Sequence, residues 1–170
     1  MILTLSNRSN VTNDGTEINP QSAQAYVVQF ASPIILPADA EIALLRTTVN
    51  KSTAGAPAGG YPLAWDYNSV FVRIPELQLR SAHVKDANSN QLMLQSIIGQ
   101  PVYIGASAPA TALAGEHSDE ISLPIYQRVF NHEDISLGSM NVELIHVDGS
   151  PANELTLSSE VTLHIRKHSK

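Results

Sequence analysis

The sequence predicts an all-β protein: a β-sandwich of about eight antiparallel strands with one short helix. Three observations predict it. Near the end of the chain, Val161, Leu163 and Ile165 alternate with Thr162, His164 and Arg166, the period of two of a strand with one face on a core and one in water. The same alternation recurs in Tyr26, Val28 and Phe30, and in Val70, Val72 and Ile74. Long Gly-, Pro- and Ser-rich stretches separate these runs, and only one run reads as a helix, the pattern of a sandwich rather than of alternating strands and helices.

Taken in order, residues 1–22 start apolar, turn polar and turn-rich, and read as an N-terminal arm, partly flexible, leaving 23–170 as the folded domain. Residues 24–30 form the first core strand. Pro33 and Pro37 then bracket Ile34, Ile35 and Leu36, which makes that stretch an edge or irregular segment, because proline cannot donate to a ladder. Residues 41–49 begin apolar on both faces and read as an inner strand. Residues 51–62 are a Gly/Ala/Pro loop, 69–74 a strand ended by Pro75, and 90–98 the helix, with Gly99 and Pro101 as its stop signal. A short strand follows at 102–105, a second flexible stretch at 105–118, and a strand broken by Pro124 at 121–130.

Two strands close the chain, at 140–147 and 160–167, with Asp148-Gly149 after the first. Asp-Gly marks a tight hairpin only when strands flank it directly. Here Ser150 and Pro151 intervene and several more residues pass before the last strand. The connection therefore reads as a crossover from one sheet to the other, as in Greek-key and jelly-roll topologies.

A chain of 170 residues is long enough for one domain that buries roughly 70% of its unfolded surface, so folding calls for no metal or disulfide. Its 15% charged residues and net charge of −6 lie far from the basic patch that a nucleic-acid surface requires; no specific nucleic acid is expected as a partner. The one basic cluster, Arg166-Lys167-His168 with Lys170, reads as a frayed terminus. No window approaches the ~20 apolar residues of a membrane helix, so no membrane insertion is expected. The N-terminus shows no basic region followed by an apolar stretch of signal length, and the absence of cysteine leans toward a reducing site of synthesis.

No enzyme signature occurs: no nucleophile elbow, phosphate loop, zinc helix or dinucleotide fingerprint. The Gly-rich loop at 55–60 lacks the Lys-Ser/Thr that a phosphate cradle needs. Six histidines (His83, His117, His132, His146, His164, His168) are the available metal pool. His164 and His168 are four apart, a spacing that joins ligands on a helix and not on a strand. His132-Glu133-Asp134 with His117, Asp119 and Glu120 is the densest set of ligand atoms, but solvated loop charge is the simpler reading. Tyr61, Trp65 and Tyr67 beside the Gly-rich loop form either a glycan-stacking platform or, more simply, a loop anchor or subunit contact. No catalytic, cofactor-binding or metal-ligating residue is assigned, no cofactor is expected, and the protein is expected not to be an enzyme.

The order of segments resembles a known family. An apolar strand ending at Phe30, Pro33-Ile34-Ile35-Leu36-Pro37 and Glu41-Ile42-Ala43-Leu44-Leu45 come first; a strand at 70–74, Pro75-Glu76-Leu77, Ser81 and Ile97-Ile98-Gly99-Gln100-Pro101 follow; a strand at 142–147, Asp148-Gly149 and a last strand at 161–167 close the series. In this order the chain resembles the single jelly-roll capsid proteins that form the vertices (pentons) of double-stranded DNA viruses such as virophages and Polinton-like viruses. The resemblance implies an eight-stranded jelly roll, a homo-oligomer (a pentamer) at the five-fold vertex of an icosahedral shell, contacts with a neighbouring major capsid protein, and a place in the virion after synthesis without a secretory signal. The rival on the same fold is a receptor- or glycan-binding attachment module using the loops at 54–67 or 105–120. A cupin-like metal enzyme fits poorly, since only His146 and His164 fall within strands.

Overall fold

A computed structural model describes residues 1–8, 22–51, 69–79, 82–85, 91–94, 96–103, 115–146, 149–153 and 155–168. They form β1 (Ile2–Ser6), β2 (Ala25–Leu36), β3 (Ala40–Lys51), β4 (Ser69–Arg73), β5 (Ala82–Lys85), β6 (Gln91–Leu94), β7 (Ile97–Tyr103), β8 (Gly115–Glu120), β9 (Gln127–Arg128), β10 (Ile135–Ile145) and β11 (Leu155–Lys167). One sheet has the order β1-β11-β3-β8, with the two-residue β9 also on β3; the other has the order β2-β10-β4-β7; β5 and β6 pair separately. Every pairing is antiparallel. The chain is an all-β sandwich, as its alternating segments predict.

The order has a simple logic. The first strand pairs with the last, β2 with β10, β3 with β8 and β4 with β7. The outgoing and returning halves of the chain thus pair as one long hairpin, and successive partners fall in alternate sheets. The core lies where the two sheets face each other. Tyr26, Val28, Val70, Val72, Ile98, Met140, Val142 and Leu144 come from one sheet; Leu5, Ile42, Leu44, Val49, Val161, Leu163 and Ile165 come from the other. These are the alternating apolar positions, and their neighbours in sequence point outward.

The crossover between the closing strands is present: β10 and β11 lie in different sheets. Gly149 takes φ 83° and donates its N–H to the His146 carbonyl at 2.9 Å, a left-handed position that suits glycine. Ala152 and Leu155, both buried, carry the chain across. β3 is the inner strand expected, between β11 and β8, and β2 is the edge strand that its prolines require. Opposite Pro33 the β2–β10 register shifts between Leu137 and Ser139, so no ladder bond is asked of the proline.

Four expectations are corrected. The helix at 90–98 is replaced by β6 and the start of β7, and no helix occurs among the described residues. Ser96 takes φ 61°, which breaks a right-handed helix; Ile98 then enters the core opposite Val72 while Ile97 packs with Ile145 and Phe71 on the outer face. A short apolar run fits either period, and here the available strand partner decides. The stop signal Gly99-Pro101 lies inside β7, where proline is tolerated because β7 is a sheet edge. The strand at 121–130 shrinks to β9, since Pro124 interrupts the ladder. Residues 115–118, assigned to a flexible stretch, belong to β8. The arm begins as β1: Ile2–Ser6 pair with residues 160–164 of the last strand, and 9–21 lie outside the described residues. Tyr26 Oη donates to the Leu5 carbonyl at 3.2 Å, tying β2 to β1 across the sandwich, and burial holds that phenol well above its ordinary titration range.

Candidate functional site

The side chains with the richest polar contacts lie on the outer face of the β1-β11-β3 sheet. Outward positions on β11 are Thr162, His164 and Arg166, and the register sets them beside Ile2, Thr4, Glu41 and Ala43. Glu41 accepts hydrogen bonds from His168 Nδ1 at 2.6 Å and Arg166 Nε at 2.8 Å. The Arg166 guanidinium lies 3.5 Å over the Tyr126 ring, a cation–π stack. Tyr126 Oη meets His164 Nδ1 at 2.6 Å, and the two rings meet edge to face. Further along the sheet Arg46 pairs with Glu160 at 2.7 Å.

Tyr126 belongs to a strap, residues 121–126, that joins β8 to β9 past the edge of β3. The strap is anchored by Ile121 N–H on the Leu45 carbonyl at 2.8 Å and by Tyr126 on His164. Between these anchors Leu123 and Ile125 are 83% and 54% exposed. Beyond the strap, Arg128 pairs with Asp39, and a recess of about 550 Å3 opens among Arg128, Val129, Phe130, Asn131 and His132. Phe130, at 48% exposure, stands at its rim.

Within the basic cluster near the end of the chain, residues 166–168 are no frayed tail. Arg166 and Lys167 lie in β11, and His168 donates its N–H to the Asp39 carbonyl at 3.0 Å. His164 and His168 point to different partners, Tyr126 and Glu41. The acidic sets do not meet: Asp119 and Glu120 sit on β8 beside Thr47 and Arg46, whereas 132–134 lie beyond Ala40 at the other end of β3, roughly 20 Å away at the rise of a strand. Asp134 instead accepts the Ala38 N–H at 2.8 Å. Among the described residues no three His, Cys, Asp or Glu side chains form a metal-holding group. The loop at 54–67, with Tyr61, Trp65 and Tyr67, lies outside the described residues, as does 105–114.

Sequence reasoning missed Glu41, Tyr126 and the strap. Pairing the last strand with 41–49 would have set Glu41 opposite Arg166; Tyr126 carried no local signal. The contacts around Glu41 make a pH prediction. Hydrogen bonds from His168 and then Arg166 hold its carboxyl below its ordinary value of 4.5. A carboxyl lowered by folding stabilises the protein above its unfolded pKa, and that contribution is lost as pH falls through the folded value. Glu41→Gln is expected to lower the melting temperature at neutral pH by no more than about 2–4 °C, given the solvent screening of Arg166, and the difference should shrink as pH falls below 4.5 and vanish once pH is below the lowered folded value. Melts of both chains across pH check this; a difference that persists at low pH refutes it.

No protein-family model matches the chain, and no curated protein is significantly similar to it.

Proposed function

We propose that this chain is a single jelly-roll capsid subunit, a non-enzymatic structural protein whose five copies form a penton at the five-fold vertex of a double-stranded DNA virus. One observation carries the reading: the strand order β1-β11-β3-β8 against β2-β10-β4-β7. Leaving aside β9 and the β5–β6 pair, eight strands remain, wound as a hairpin rolled into two sheets, and this order supports the jelly-roll plan that viral capsid domains share with lectins and cupins.

Fold alone does not choose among these, and two features favour the capsid. A cupin-type site would need histidines and a carboxylate facing inward, but the layer between these sheets is filled from both sides by Val, Leu, Ile and Met. His164, within β11, faces outward against Tyr126. Three ion pairs hold charged side chains of this face within the chain: Glu41 with Arg166, Asp39 with Arg128 and Arg46 with Glu160. Such a surface suits close packing against other subunits and a neighbouring major capsid protein.

Native mass spectrometry of the purified chain tests the reading. A pentamer is expected. A stable trimer would shift the assignment to an attachment module, and a monomer at all concentrations would overturn it.

A further inference from the structure

We infer that two copies of this chain meet where the 121–126 strap of one enters the recess beside Phe130 of the other; the inference rests on the reading that the chain self-assembles. Among the described residues six large apolar side chains are exposed: Met1, Ile2, Ile35, Leu123, Ile125 and Phe130. Three of them, Leu123, Ile125 and Phe130, fall on the single connection between β8 and β10.

The strap is shaped to present its apolar side chains. Its ends are held by Ile121 on Leu45 and Tyr126 on His164, Arg166 packs on Tyr126 from the sheet side, and Pro124 fixes the backbone between Leu123 and Ile125. An 83%-exposed leucine on an anchored turn is an entropically cheap contact, because little is left to order on binding. The recess of about 550 Å3 is within the size range of pockets that hold compact apolar groups. Val129 and Phe130 supply its apolar surface, and Arg128 and His132 its polar edge.

Two arguments make the occupant a second copy. The chain carries both halves of the contact, an apolar ridge and an apolar-lined recess, and its own ridge does not fill its own recess, since Leu123 remains exposed. Charge agrees. A chain of net charge −6 repels itself over most of its surface, and the β8 edge ends on the exposed Glu120. The strap carries no charged residue, and charges near it are paired internally, Glu41 with Arg166 and Asp39 with Arg128. The strap itself therefore adds no like charge to the contact. Ridge and recess are different patches, so each chain both gives and receives a contact.

The test uses native mass spectrometry on four samples at one concentration: the wild-type chain, Leu123→Glu, Phe130→Asp, and an equimolar mixture of the two variants. Both substituted side chains are exposed, so melting temperatures should stay near wild type. Each variant alone should dissociate about 10- to 100-fold more readily, the loss expected when one buried aliphatic or aromatic anchor is replaced by a charge. The mixture should recover a two-chain species, because one variant keeps the recess and the other keeps the ridge. A wild-type oligomer left intact by both variants, or a mixture that stays monomeric, overturns this surface and leaves the capsid reading standing. A wild-type dimer that both variants dissolve upholds the surface and overturns the five-fold reading. A monomeric wild type overturns both.

Discussion

Leu163→Ala should cost about 2–5 kcal/mol, the range for truncating a buried leucine, while Thr162→Ala beside it should cost no more than about 0.5 kcal/mol. Leu163 is fully buried, lies opposite Leu3 on β1 and Leu44 on β3, and belongs to the layer shared by both sheets. Its truncation leaves a cavity that the surrounding strands can fill only by moving, and β11 is held on both sides. Thr162 is on the outer face, where its hydroxyl sits 3.4 Å from that of Thr4 in solvent reach. Urea unfolding at fixed protein concentration measures both, because any assembly ties stability to concentration. The midpoint should fall for Leu163→Ala with the denaturant slope unchanged. Reversed costs at the two positions would mean that β11 is slipped by one residue, which exchanges its faces.

That pair of adjacent residues also marks what a sequence can disclose. The faces of β4 and β11 were readable because one side of each strand meets core and the other meets water, so alternation is written into the composition of the segment itself. The edge position of β2 was readable from Pro33 and Pro37, and the sheet-to-sheet crossover from Ser150 and Pro151, each through a local backbone constraint. The 90–103 region was not. Leu92, Met93, Leu94, Ile97 and Ile98 satisfy a helical spacing as well as a strand, and the choice is made by Val72 and Arg73 on β4, which offer a ladder to Ile98 and Ile97. Short apolar runs are decided by such distant partners. The outer-face network was hidden for the same reason. Tyr126 and His164 are 38 positions apart, and His168 and Glu41 are 127 apart; neither pair exists until the register of β3 and β11 is known. The histidines drew attention as metal candidates because residue type is visible in a sequence and register is not.

Asn131→Ala should be the costliest polar truncation among the described residues, at roughly 2–4 kcal/mol, the sum of lost hydrogen bonds and one stranded donor. Asn131 is buried between β9 and β10. Its Oδ1 accepts the Ala40 N–H at 3.3 Å, and its Nδ2 donates to the carbonyls of Pro37 at 2.7 Å and Glu133 at 3.0 Å. Its own carbonyl accepts the Asp39 N–H at 3.0 Å. One side chain therefore holds the β2–β3 turn, where Asp39 takes the left-handed φ of 58°, against the connection that lines the recess. Ala40 is fully buried, so its N–H would find no water when the amide is gone; Pro37 and Glu133 lie nearer the surface and their carbonyls can be rehydrated. Asn131→Asp separates this account from simple loss of packing. The carboxylate keeps the acceptor for Ala40 but sets a negative charge against two carbonyl oxygens in a buried site, which raises its pKa. A raised carboxyl pKa means that the folded state holds its proton longer than the unfolded one, so the variant's stability falls as pH rises through the unfolded carboxylate range and beyond. Relative to wild type, the loss in Asn131→Ala should be independent of pH across that window. Unfolding midpoints of the two variants, compared from acid to neutral pH, should diverge; parallel curves would show that the amide's two donated bonds contribute nothing to holding the turn.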